Sequence, residues 1–137
     1  MSPIFTRRWS ALAVPGSVPA LRRQVVAFAA RHRVAEPPLE DLRLAVSEAL
    51  TNVVLHGYRH TQEPGAVDVT ATVGADSVEV VVGDEGLGMS PRSDSPGAGL
   101  GLPLIAQVAE SLSVSCGRDG NGTVLAMTFE LPLALAH

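Results

Sequence analysis

The sequence predicts an α+β fold, a two-layer sandwich with a mostly antiparallel sheet and helices on one face. Three observations predict it. Short runs rich in Val and Thr alternate with apolar stripes at helical spacing. Their order along the chain is β-α-α-β-β-α-β-β, which suggests helices stacked on one face of the sheet. The chain has 137 residues, 46% hydrophobic but only 4% aromatic, so it suits one domain with a core of Val, Leu, Ala and Ile.

Each element has its own signal. Phe5 to Val14 alternates loosely as a first strand, ended by Pro15 and Gly16. Ser17 can cap a helix running to about Arg33, with Leu21, Val25, Phe28 and Ala29 on its apolar face. Pro37 and Pro38 punctuate. A second helix then covers about Leu39 to Tyr58, where Leu42, Ala45, Val46, Ala49, Leu50 and Val53 form a core stripe. Val67 to Val73 and Val78 to Val82 read as a hairpin across Gly74-Ala75-Asp76-Ser77. Gly83 to Gly101 is rich in Gly, Pro, Ser and Asp and reads as a loop. A third helix spans about Leu100 to Ser111, with Leu104, Ile105, Val108 and Ala109 inward. Leu112 to Cys116 and Thr123 to Leu131 form a closing hairpin.

Composition excludes several chemistries. All 10 basic residues are arginine. Without lysine there is no Walker-type P-loop, no eukaryotic-type kinase lysine and no Schiff base. Any bound phosphate must be held by backbone amides, arginines or a metal. The net charge of −4 argues against direct nucleic-acid binding. Cys116, the single cysteine, makes no internal disulfide and fits a reducing compartment. No apolar run approaches the ~20 residues of a membrane span, and Met1 to Arg8 lacks a secretory apolar stretch. A cytoplasmic protein that does not enter membranes is expected.

Three features point to chemistry. Glu48 and Asn52 lie one turn apart on the second helix, beside its core stripe. A carboxylate there can accept a proton, and an amide oxygen is a hard ligand suited to Mg²⁺. In Gly83-Asp84-Glu85-Gly86-Leu87-Gly88, a strand-end aspartate can accept a hydrogen bond from a ring amino group. The glycines Gly86 and Gly88 let backbone approach a flat ligand. Gly97-Ala98-Gly99-Leu100-Gly101-Leu102 leads into the third helix and exposes amide N–H groups suited to phosphate. Taken singly, each feature has an ordinary explanation: a solvated helix pair, turn chemistry, a glycine-rich loop.

Taken together they resemble the asparagine box and two glycine boxes of the GHKL ATPase superfamily, which includes gyrase, histidine kinases and MutL. The stretch Leu44-Ala45-Val46-Ser47-Glu48-Ala49-Leu50-Thr51-Asn52-Val53-Val54-Leu55-His56-Gly57-Tyr58 is similar to the bacterial anti-sigma factor serine/threonine kinases. The resemblance implies a single histidine kinase-like ATP-binding domain over 1–137, with ATP and Mg²⁺ as cofactors. Glu48 would be the catalytic base and Asn52 the metal ligand. Asp84 would accept from the adenine amino group, with Gly86 and Gly88 lining the base pocket. Gly97, Gly99 and Gly101 would hold the phosphates, and Thr123, after Gly122, would support the adenine. His56, Met89, Leu100 and Leu102 would complete the nucleotide contacts. Arg92 is the candidate for a γ-phosphate contact or else a solvated loop arginine, and His56 equally suits a helix-end role.

The implied reaction is phosphoryl transfer from ATP to a serine or threonine of an anti-anti-sigma factor, by a protein that also sequesters a sigma factor. Relatives often form homodimers. Phe5 and Trp9 suit either such an interface or core packing. One departure separates the chain from the sporulation-type kinases: Met89 to Pro96 is short where they carry a longer lid. A non-catalytic, ATP-responsive anti-sigma module is therefore the alternative. A histidine-kinase catalytic domain would need a phospho-accepting histidine on a dimerisation helix, a setting that His32, His56 and His60 lack.

Overall fold

The computed structural model describes residues 3–58, 61–85, 102–116 and 122–132. Within these, five strands form one sheet: β1 (Phe5–Leu12), β2 (Ala66–Val73), β3 (Ser77–Asp84), β4 (Ser111–Cys116) and β5 (Thr123–Glu130). The order across the sheet is β1-β2-β3-β5-β4, and every neighbouring pair is antiparallel. Three helices accompany it: α1 (Ser17–Arg31), α2 (Pro38–Asn52) and α3 (Leu102–Val108). Element order and fold class agree with the expected α+β sandwich.

The core lies between the helices and one sheet face. In β2, β3 and β5 buried and part-exposed residues alternate, because successive strand side chains point to opposite faces. Val67, Val69, Ala71, Val73, Val78, Val80, Val82, Leu125, Met127 and Phe129 are the inward set. Against them α1 buries Leu21, Val25, Phe28 and Ala29, and α2 buries the stripe from Leu42 to Leu50. Ile105 anchors α3. Trp9 belongs to this core, edge-on to Phe28 at 5.7 Å between ring centroids. Phe5 is 40% exposed and stacks on His32.

Several boundaries differ from expectation, each for a local reason. Ser17 is the first residue of α1 rather than its cap. Gly16 precedes it, and the Ser17 hydroxyl donates to the Leu12 carbonyl at 2.6 Å, tying the helix start to the end of β1. α1 stops at Arg31 because Arg33 turns left-handed at φ 74° and Val34 N–H closes back on the Ala29 carbonyl. β3 runs through Gly83 and Asp84, residues expected in the loop, because each pairs with both β2 and β5. α3 ends at Val108, and Ser111 already pairs with Thr128 in β4.

The second helix departs most. It is α-helical only to Asn52 and continues as a π-helical turn over Val53–Gly57, with Tyr58 leaving the helix. The extra residue per turn re-aims everything after Asn52, and π-turns of this kind recur at functional sites.

Candidate functional site

Burying a polar side chain without a partner is costly, so such residues are rare and informative. Among the described residues, the buried polar or charged ones are Asn52, Asp84 and Thr123, at 3%, 4% and 1% exposure. All three are residues to which the family resemblance assigns ligand contacts. The Asn52 amide nitrogen and the Thr123 hydroxyl are buried and have no hydrogen-bond partner among the described residues.

The fold brings Asp84 and Thr123 to one end of the sheet. Asp84 is the last residue of β3 and stands directly opposite Thr123, the first of β5. Opposed residues point to the same face, here the helix face. Cys116 at the end of β4 faces Thr123 in turn and is exposed. The π-turn after Asn52 packs on β3. It sets Gly57 so close to Asp84 that a Cβ there would meet the carboxylate at 3.2–3.3 Å. Glycine at 57 therefore lets the helix end close over the aspartate.

Two further contacts fix the strand end. Gly122, at φ 78°, lies beneath the Asp84–Glu85 peptide; a Cβ on it would fall 2.0 Å from the Asp84 carbonyl oxygen. Tyr58 lies on the other side. Its hydroxyl donates to the Ala66 carbonyl at 2.7 Å and accepts from the Glu85 N–H at 2.9 Å. Burial pushes the Tyr58 phenol above its ordinary value near 10. The hydrogen bond from Glu85 pulls the other way, and the charges of Asp84, Glu85 and Asp68 add to the rise.

Glu48 is half-buried on α2, one turn before Asn52, and is not among the fully buried polar groups. His56 lies half-buried in the π-turn and Leu102 half-buried at the start of α3, packed against the core. Gly86, Gly88, Met89, Arg92, Gly97, Gly99, Leu100 and Gly101 lie outside the described residues. Sequence spacing assigns no site role to Tyr58, Gly57 or Gly65, whose parts depend on contacts far along the chain. A glycine and a tyrosine directly after the polar helix face were the only local sign.

Among the described residues no group of three or more His, Cys, Asp or Glu is arranged to hold a metal. A Mg²⁺ ion usually keeps several waters and shares phosphate oxygens, so it needs few protein ligands. The buried Asn52 amide fits such a site as a single ligand. No helix among the described residues is long and apolar enough to cross a membrane.

Comparison with known proteins shows the family and the fold. Residues 11–129 match the family model of the histidine kinase-like ATPase domain. The anti-sigma F factor of Clostridium beijerinckii is 33% identical over 74% of this chain and 78% of its own. The serine-protein kinase RsbW of Halalkalibacterium halodurans is 31% identical over 81% of this chain and 74% of its own. The solved structure of the RsbU and RsbW domains of a Mycobacterium tuberculosis protein superposes with a TM-score of 0.74 at 20% identity. It covers 97% of this chain and 35% of that one, and it shows the fold.

Proposed function

The chain belongs to the histidine kinase-like ATPase domain family, in the branch of the anti-sigma F factors and RsbW serine-protein kinases, and from that premise we propose an ATP-dependent anti-sigma regulator. It phosphorylates a serine or threonine of an anti-anti-sigma factor and sequesters a sigma factor, acting as one domain over 1–137 in the cytoplasm and as a homodimer. The observation that carries the nucleotide reading is Asp84 and Thr123 buried opposite each other at one sheet end, with Asn52 buried just before the π-turn that packs on β3.

In this reading the Asp84 carboxylate accepts from the adenine amino group, and the Thr123 hydroxyl, buried opposite it, supports the same base. The Asn52 amide oxygen holds Mg²⁺, which neutralises phosphate charge when bound. His56 and Leu102 border the nucleotide, and the glycine boxes with Met89, Arg92 and Leu100 belong to the phosphate side by resemblance. Glu48, less buried than Asn52, is by resemblance the base for the protein hydroxyl. Its carboxylate takes the hydroxyl proton as the oxygen attacks the γ-phosphorus. The bond to the β–γ bridging oxygen breaks, and ADP leaves.

Incubation with γ-labelled ATP and the cognate anti-anti-sigma protein tests this function. Label on a partner serine or threonine supports it. Bound nucleotide with no label on the partner refutes the kinase step and leaves the second reading, an ATP-responsive binding module. That reading is favoured by the short stretch Met89 to Pro96. It predicts a partner complex whose affinity differs among ATP, ADP and no nucleotide, with no transfer.

A further inference from the structure

The end of β3 is held at three points. Gly57 closes on the Asp84 carboxylate, Gly122 lies against the Asp84 carbonyl, and the Tyr58 hydroxyl takes the Glu85 N–H. The first two are steric and leave little room. The third is a directional tether on the peptide that follows Asp84, and it reaches across 27 residues of sequence.

Tyr58 is itself held in place. Its carbonyl accepts from the Thr61 hydroxyl at 2.7 Å and from the Thr61 N–H at 3.0 Å. Its ring lies over Gly65 so closely that a Cβ there would stand 2.5 Å from two ring carbons. The hydroxyl then uses its proton on the Ala66 carbonyl and a lone pair on the Glu85 N–H. One oxygen therefore joins the helix end, the start of β2 and the residue after Asp84.

We propose that Tyr58 is a positioning residue for the Asp84 site, its hydroxyl bridge setting the carboxylate where it discriminates adenine. The inference rests on the nucleotide reading above. Tyr58 acts through the Glu85 peptide rather than by touching the base. Phenylalanine keeps the ring over Gly65 but cannot bridge. Freed of the tether, the strand end can shift, and a hydrogen bond to a carboxylate weakens steeply with misalignment.

Calorimetric titration with ATP and GTP tests the proposal on wild type, Tyr58→Phe and Gly65→Ala. GTP lacks the amino group at the base position that Asp84 would read, so the ratio of the two affinities reports the carboxylate's placement. Tyr58→Phe is expected to bind ATP about tenfold more weakly and to lose preference for ATP over GTP in parallel. Gly65→Ala displaces the ring, a movable group, and should shift both readings in the same direction. It decides the matter if the Phe variant fails to fold. A variant that loses thermal stability yet keeps ATP affinity and the ATP-to-GTP ratio within about twofold shows a merely structural tyrosine and overturns the proposal. Absence of ATP binding by the wild-type chain overturns the functional reading, and this inference with it.

Discussion

Gly122→Ala is the sharpest perturbation of the site's scaffold. The residue sits at φ 78°, and its added Cβ would meet the Asp84 carbonyl oxygen at 2.0 Å, the carbonyl carbon at 2.8 Å and the Glu85 Cα at 2.8 Å. Real Cβ contacts essentially never fall under 3.0 Å, so backbone must move by about an ångström. No flexible side chain can absorb the shift, because all three neighbours are main-chain atoms. A left-handed alanine alone costs about 1–2 kcal/mol. Added backbone displacement brings the expected loss to roughly 2–4 kcal/mol. Urea denaturation measures it. Gly74→Ala serves as control, since its Cβ would meet only the Ser77 carbonyl oxygen at an ordinary 3.7 Å. The control should lose less than about 1 kcal/mol. ATP affinity should fall in the Gly122 variant, because the displaced peptide carries Asp84. A Gly122→Ala protein as stable as the Gly74→Ala control, with wild-type ATP affinity, would refute the reasoning.

Three further outcomes are expected. Thr123→Val removes, at constant shape, a buried hydroxyl that has no partner among the described residues, so the nucleotide-free protein should keep its stability or gain up to about 1 kcal/mol, while ATP affinity falls; paired melting curves with and without ATP read both. Asn52→Ala should weaken Mg-ATP binding far more than binding of metal-free ATP, checked by titration with and without EDTA. The raised phenol of Tyr58 makes its neutral form the native one. Its contribution to stability is complete below the ordinary value near 10 and is lost as pH rises through the higher folded value, with the nearby charges of Asp84, Glu85 and Asp68 opposing ionisation. Urea midpoints of wild type should thus fall more steeply above about pH 10 than those of Tyr58→Phe.

Much of this was legible because it is periodic or compositional. The α1 stripe Leu21, Val25, Phe28 and Ala29 was read residue for residue, and so was the α2 stripe from Leu42 to Val53. The hairpins followed from alternation around Gly74 and around Gly117 to Gly122. Asn52 was legible as a polar residue beside the core stripe, Asp84 as a strand-end aspartate and Thr123 through the family resemblance, and all three are buried.

What escaped depends on contacts that sequence spacing does not record. The π-turn after Asn52 leaves the apolar stripe intact through Val53, so periodicity alone reads it as continued helix. Gly83 and Asp84 look like loop residues, but pairing on both sides keeps them in β3. The serine at 17 has the composition of a cap, yet its hydroxyl serves the Leu12 carbonyl. The Tyr58 bridge joins Ala66 and Glu85, and neither partner is marked by its residue type.

The most direct test of the central claim is the melting midpoint of the whole chain with and without Mg-ATP, in wild type and in Asp84→Asn. Ligand at about one hundred times its dissociation constant stabilises the native state by about 2.7 kcal/mol. A site at Asn52, Asp84 and Thr123 predicts a rise of several degrees for wild type and little or none for the variant at the same ATP concentration. A wild-type midpoint unmoved by millimolar ATP or ADP, or an equal rise in Asp84→Asn, would contradict it.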